Sequence, residues 1–127
     1  MSNATDLQNR LIEAVQKEFP KSRLWRNNTG QAYPLTSFKR AWEFLKNGVH
    51  PPWLRPVTYG VVGAGDVAGW LHVDGRAIVL HIEVKIGKDE QRGSQKVFEK
   101  VVVACGGIYI IARSVDQCIA DLRAVLK

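Results

Sequence analysis

Asp66 to Lys85 reads DVAGWLHVDGRAIVLHIEVK, in which two apolar stretches flank an Asp-Gly pair. Asp-Gly between alternating apolar residues is a strong signal of a β-hairpin, because both residues accept the positive φ of a tight two-residue turn. The pattern predicts one strand over Val67–Val73 and a second over Arg76–Lys85. Side chains alternate along a strand, so the second strand has two faces: Ile78, Leu80, Ile82 and Val84 on one, and Val79, His81, Glu83 and Lys85 on the other.

Two carboxylates stand equally far from this turn, Asp66 before the first strand and Glu83 near the end of the second. Antiparallel pairing is therefore expected to bring them together. Hydrolysis of a phosphodiester near neutral pH needs an acidified water and stabilised phosphoryl charge, which Mg²⁺ held by carboxylates supplies. Lys85 shares the face of Glu83, where a fixed cation can orient the attacking water or stabilise the transition state. These three residues are the candidate catalytic residues.

The same residues have a simpler interpretation. Glu83 and Lys85 can be an ion pair at a strand end that emerges into solvent, and Asp66 can be an ordinary turn residue. The combination favours an active site: an acid after the glycine-containing approach 59–65, a hairpin, and an acidic-basic pair that closes an apolar strand ahead of a helix.

Upstream of the hairpin, apolar residues at helical spacing predict an amphipathic helix over Thr5–Phe19, with Thr5 and Gln8 as a capping box. A short strand is predicted over Arg23–Arg26, followed by a turn over Asn27–Gly30. Residues 31–57 are interpreted as an irregular insertion or loop, in which residues 37–46 can form a short helix.

Downstream, Ser94 is predicted to cap a helix over Gln95–Cys105. The continuous apolar run Ile108–Ala112 predicts a central strand that is buried on both faces. A last helix is expected to begin at Ser114. The predicted fold class is α/β, with a mixed central β-sheet flanked by helices in a single domain that spans residues 1–127.

Bulk properties narrow the classes of protein that remain. The chain has 127 residues, of which 46% are hydrophobic, and no apolar run approaches the length of a membrane span, so we expect one cytoplasmic domain with no membrane partner. Cys105 and Cys118 lack the spacing of a zinc site and are expected to be small buried residues. The net charge of +6 suits a polyanionic partner. Trp25, Trp42 and Trp53 lie among basic residues, where they suit either base stacking or a core.

Several short motifs in order resemble a known family. They are RNNTG at 26–30, GAGDVAG at 63–69, IEVK at 82–85, QKVF at 95–98, GG at 106–107 and ARS at 112–114. As an ordered set they resemble the VRR-NUC branch of the PD-(D/E)XK nuclease superfamily, and above all its phage-encoded stand-alone members. The resemblance covers most of the chain from the first helix onward, and it implies a restriction-endonuclease-like core.

The resemblance also implies roles for individual residues. Asp66, Glu83 and the backbone carbonyl of Val84 would bind Mg²⁺ or Mn²⁺, Lys85 would be the catalytic lysine, and Gln95 would project into the site from the following helix. Family members cleave DNA, some preferring branched structures such as Holliday junctions, and stand-alone forms commonly act as homodimers in a bacterial or phage-infected cell. The candidate DNA contacts are Arg26, Asn27, Asn28 and Lys88.

The chain departs from the family pattern at two places. Gly65 stands where the superfamily name expects a proline before the first acid, which removes no metal ligand. Many members also carry a Glu near the start of the first helix, whereas this chain offers only Asp6 or Glu13 as substitutes. The missing acid leaves open a non-catalytic nucleic-acid-binding module as an alternative to a metal-dependent endonuclease. A protein-interaction domain is a third interpretation, but it explains none of Asp66, Glu83 and Lys85.

Overall fold

The computed structural model describes residues 3–27, 30–32, 38–53, 57–59, 61 and 63–127. The chain divides into two compact units, a larger one formed by residues 1–27 and 62–127 and a smaller one formed by residues 28–61. The larger unit contains α1 (Ala4–Glu18), β1 (Arg23–Arg26), β4 (Val67–Val73), β5 (Arg76–Val84), α3 (Gly93–Ala104), β6 (Ile108–Ala112) and α4 (Val115–Val125); the smaller contains β2 (Gly30–Ala32), α2 (Phe38–Leu45) and β3 (Val57–Tyr59).

The larger unit is built on a four-stranded mixed sheet with strand order β1-β4-β5-β6. β4 pairs antiparallel with both β1 and β5, and β6 pairs parallel with β5. The predicted hairpin is confirmed: Val73 lies opposite Arg76, and the two turn residues, Asp74 and Gly75, both have positive φ, at 51° and 75°. The mixed α/β fold with helices flanking the sheet is therefore as predicted.

The two faces of this sheet are covered by different helices. α1 and α4 cover one face, where Leu11, Leu80, Ile82 and Leu122 are fully buried in the hydrophobic core. α3 covers part of the other face, where the Phe98 ring packs against β5 and β6. As alternation predicts, Glu83 lies on the α3 face, whereas its neighbours Ile82 and Val84 lie in the core.

Three local predictions were wrong. α1 begins at Ala4 and is capped by Asn3, whose side chain accepts a hydrogen bond from the Asp6 N–H at 2.8 Å, so Thr5 is not the cap. α3 begins at Gly93 rather than being capped by Ser94. β6 stands at one end of the strand order among the described strands, although it is largely buried on both faces. A helix on each side of the sheet buries an end strand as fully as a central one.

Smaller differences concern the cysteines and the helices. Cys118 is buried as expected, but Cys105 is exposed. Ser114 caps α4 as predicted, since its side chain accepts a hydrogen bond from the Gln117 N–H. Within the described residues, no helix has both the length and the apolar character that a membrane span requires.

The smaller unit contains regular structure in the segment interpreted as an irregular insertion. β2 and β3 pair antiparallel, with Gly30 opposite Tyr59. The predicted short helix is confirmed as α2, which is followed by a turn in which Gly48 has φ +73°. The Arg40 guanidinium lies 4.7 Å from the centre of the Trp53 ring, a cation-π contact that buries part of the indole.

Gly69 fixes how closely β1 approaches β4. A Cβ at Gly69 would lie 2.0 Å from the Arg23 carbonyl oxygen and 2.9 Å from the Leu24 Cα, both backbone atoms. Gly69→Ala is expected to lower the free energy of unfolding by about 1–3 kcal/mol, since β1 must shift to relieve the clash. Urea unfolding followed by circular dichroism measures this change.

The matched control is Gly93→Ala in the first turn of α3, where a Cβ would meet no atom within 4 Å. We expect this variant to be neutral or slightly stabilised, because alanine restricts the unfolded chain. Equal urea midpoints for the two variants would contradict the packing argument.

Candidate active site

Asp66 and Glu83 lie side by side at the open end of the hairpin. Val67 is opposite Ile82 in the register of β4 and β5, so the next pair outward is Asp66 and Glu83. The Asp66 Oδ2 accepts a hydrogen bond of 2.9 Å from the Val84 N–H, which holds the carboxylate against β5. The predicted proximity of the two carboxylates is therefore confirmed.

Lys85 and Gln95 both contact the carboxylate of Glu83. The Gln95 Nε2 donates a hydrogen bond of 2.6 Å to the Glu83 Oε1, and the Lys85 Nζ lies 3.5 Å from the same oxygen. Glu83 is only 3% exposed and Lys85 only 7%. A buried ion pair of this kind is not the solvated strand end of the simpler interpretation, because both charges have lost most of their water.

The pKa of Glu83 is raised from 4.5 to about 7. Burial is the largest cause, the negative charge of Asp66 is the next, and Lys85 opposes both. The Glu83 Oε2 is buried and has no hydrogen-bond partner among the described residues. Lys85 supplies one positive charge to two carboxylates, and a divalent cation between them would balance the remaining negative charge.

The described part of the chain contains no cluster of three or more His, Cys, Asp or Glu side chains that could hold a metal ion. Asp6 lies 3.8 Å from Arg10 in an exposed pair on α1. Glu13 lines a shallow pocket with Lys17 and Val115, between α1 and α4. Neither acid is among the groups whose charges act on Glu83, so Asp66 and Glu83 are the only two carboxylates that the described residues bring together at this end of the hairpin.

Gly63 and Gly65 allow the chain before Asp66 to lie directly on its neighbours. A Cβ at Gly65 would lie 2.9 Å from both the backbone nitrogen and the carbonyl oxygen of Ile82. A Cβ at Gly63, where φ is +86°, would lie 2.3 Å from the Ser94 carbonyl oxygen. The approach to Asp66 therefore leaves no room for a side chain at position 65.

His81 contacts the segment that precedes Asp66. Its Nδ1 accepts a hydrogen bond from the Gly65 N–H at 3.3 Å, which requires the ring to be neutral. Burial lowers the pKa of His81 and so favours the neutral ring. The ring also meets Phe98 edge-to-face at 4.9 Å between centroids, so α3 fixes the orientation of the imidazole.

Tyr109 belongs to the surroundings of the site and was not singled out from the sequence. It lies opposite His81 in the parallel pairing of β5 and β6. Burial and the charge of Glu83 raise the pKa of its hydroxyl, which has no hydrogen-bond partner among the described residues. Alternation along β6 could have placed Tyr109 on the same sheet face as Glu83, but only if the register between β5 and β6 had been known.

The four candidate DNA contacts have different positions. Arg26 donates a hydrogen bond to the Gln8 Oε1 on α1, which places its side chain on the sheet face opposite Glu83. Asn27 donates from its backbone to the Asp66 carbonyl at 2.7 Å and from its side chain to the Gly65 carbonyl at 3.2 Å, so it holds the approach in place. Lys88 is exposed in the turn after β5, and Asn28 lies outside the described residues.

Comparisons with protein-family models, with curated proteins and with solved structures found no match to this chain. The site itself is therefore the basis on which function is inferred.

Proposed function

We propose that this protein is a divalent-metal-dependent endonuclease that hydrolyses DNA phosphodiester bonds. The observation that carries the proposal is the group formed by Asp66, Glu83, Lys85 and Gln95 at one end of the hairpin, in which Glu83 and Lys85 are buried. Two adjacent carboxylates suit a hard cation, and a lysine that is held beside them supplies a positive charge that the cation does not displace.

Each residue has a distinct task in this proposal. Asp66 and Glu83, with the Val84 carbonyl, would hold Mg²⁺ or Mn²⁺, which when bound acidifies a water and neutralises phosphoryl charge. Lys85 donates to the attacking water or to a phosphate oxygen, since its Nζ sits 3.5 Å from Glu83. Gln95 fixes the orientation of the Glu83 carboxylate through its 2.6 Å hydrogen bond.

Two further observations support the finer assignment to a VRR-NUC-like nuclease with a restriction-endonuclease-like core. The acid before a hairpin strand, the acid and lysine that close the next strand, and the glutamine on the following helix all meet in space. The net charge of +6 supports a nucleic-acid substrate. Action as a homodimer on branched DNA is part of the same proposal.

A second candidate is a nucleic-acid-binding module that does not cleave. It is favoured by the set of only two acids, because no third carboxylate joins Asp66 and Glu83 within the described residues. Mg²⁺ retains several waters in many sites, however, so two carboxylates remain compatible with catalysis.

A cleavage assay separates the two candidates. Duplex, flap, fork and four-way junction DNA are incubated with the protein in Mg²⁺, in Mn²⁺ and in EDTA. The nuclease predicts cleavage of at least one substrate in metal and none in EDTA. Salt-dependent binding without cleavage of any substrate in either metal would reject the nuclease in favour of the binding module.

A further inference from the structure

Two tryptophans share the sheet face that carries the carboxylates. In the register of β4 and β5, Trp70 lies opposite Val79 and Ala68 opposite His81, on the face to which Glu83 belongs. Trp25 of β1 lies opposite Ala68, so it shares this face as well. Trp25, Ala68 and His81 lie side by side across three strands, and Asp66 and Glu83 lie two residues further along. The two sets are therefore separated by roughly 7 Å in the strand direction.

α3 leaves this part of the face open to solvent. Trp25 is 51% exposed, Trp70 38% and Val79 54%, whereas Tyr109, beneath α3, is only 7% exposed. A cleft of about 510 Å³ separates α3 from the hairpin end of β5, with Val79, Val101 and Phe98 in its lining. The β1-β4 half of the face therefore presents large aromatic surfaces next to the candidate active site.

The geometry of the two indoles is fixed. Their ring centroids lie 6.1 Å apart at an interplanar angle of 70°, an edge-to-face pair that leaves ring faces available to a ligand. The Trp70 Nε1 donates a hydrogen bond of 3.0 Å to the Lys21 carbonyl, which anchors the pair at one end. Trp25 and Trp70 are thus a rigid aromatic surface, whose ordering on binding loses little conformational entropy.

We propose that this surface stacks with unpaired bases of a single-stranded nucleic-acid segment next to the bond that is cleaved. The inference rests on the proposed nuclease function and names its substrate class. Bases in the interior of a duplex hide their faces in the stack, whereas unpaired bases along a single strand can lie on an exposed indole. Arg23 is exposed and opposite Trp70 on the same face; one nitrogen of its guanidinium donates to the Ser22 carbonyl at 2.7 Å, and its positive charge suits the backbone phosphates.

Binding in EDTA tests the proposal without relying on cleavage. A fluorescently labelled oligo-dT and a duplex of mixed sequence are titrated with wild-type protein and with Trp25→Ala and Trp25→Phe. We expect Trp25→Ala to weaken binding of the oligo-dT by about tenfold or more, and Trp25→Phe to retain most of the affinity, because the effect requires an aromatic ring. Duplex binding is expected to change far less.

The matched control is Trp42→Ala in the smaller unit, since Trp42 is also 51% exposed. Trp25→Leu is a second variant that keeps an apolar side chain if the alanine variant unfolds. The proposal is overturned if wild-type protein fails to bind oligo-dT, if Trp25→Ala and Trp25→Leu bind it like wild type, or if Trp42→Ala loses as much affinity. It is also overturned if light scattering shows that the Trp25 variants dissociate a dimer, which would make the surface a contact between copies.

These outcomes are distinct from failure of the nuclease proposal. Binding through Trp25 without cleavage in metal would reject the enzyme and keep the stacking surface. Metal-dependent cleavage by wild type, together with binding of oligo-dT that the Trp25 variants do not weaken, would keep the enzyme and reject the stacking surface.

Discussion

Lys85→Met is expected to reduce metal-dependent cleavage by about 10²- to 10³-fold, the range seen when one preorganised donor to a developing charge is removed. Methionine keeps the length of a side chain that is only 7% exposed, so the fold should persist. What disappears is the ammonium group 3.5 Å from the Glu83 carboxylate. Initial cleavage rates at saturating Mg²⁺ measure the loss, and circular dichroism checks the fold.

Lys100→Met is the matched control, because it removes the same charge from an exposed position on α3. We expect its cleavage rate to stay within about threefold of wild type, since exposed charges are screened by solvent. Asp66→Asn should instead lose metal binding together with activity, whereas Lys85→Met should still bind Mn²⁺ in calorimetry. Full cleavage by either the Lys85 or the Asp66 variant would reject the assignment of the active site.

The second large effect concerns pH and metal. Because the pKa of Glu83 is raised from 4.5 to about 7, the folded protein binds this proton more tightly than the unfolded chain does. Proton binding by Glu83 therefore adds to the free energy of unfolding. This contribution, on the order of 3 kcal/mol, is complete below pH 4.5 and is lost as the pH rises through 7. In EDTA, wild-type protein should therefore be less stable at pH 8 than Glu83→Gln, which keeps a neutral side chain of the same shape.

His81 changes the stability with pH in the opposite direction to Glu83. Its pKa is lowered, so its contribution to stability is complete above about pH 6.5 and is lost as the pH falls through the folded value. The difference between wild type and Glu83→Gln, measured as Tm against pH, isolates Glu83 because both proteins contain His81. Adding Mg²⁺ at pH 8 should raise the Tm of wild type alone. Parallel Tm profiles for the two proteins in EDTA would contradict the raised pKa.

The hairpin and the carboxylate pair were predictable because their signals are local. Asp74 and Gly75 define the turn, and a turn of known length sets which residues face each other. Counting outward from it was enough to place Asp66 beside Glu83. The contact of Gln95 with Glu83 was expected only from the resemblance, since nothing local indicates where α3 lies over the sheet.

Other features depended on contacts that the sequence does not show. Asn3 and Thr5 both suit the start of α1, and the competition between them is decided by one hydrogen bond to Asp6. Gln95 accepts from the Arg92 N–H while donating to Glu83, so α3 begins before Ser94. An apolar run such as Ile108–Ala112 predicts that a strand is buried, but it does not indicate whether that strand is central or at the end of the strand order. The exposure of Trp25 likewise required the register of β1.

Within the larger unit, the Asn27 N–H donates to the Asp66 carbonyl at 2.7 Å, so the chain leaves β1 and enters β4 at neighbouring points. The contact between Asn27 and Asp66 closes a loop of 38 residues, 28–65, and the entropy of closure grows only with the logarithm of length, about 0.6 kcal/mol per doubling. Exchange of this segment for a shorter or longer one changes the closure term by roughly 2 kcal/mol or less. The closure entropy therefore sets only a weak limit on the length of the segment between Asn27 and Asp66, whose hydrogen bond joins the two ends of the loop.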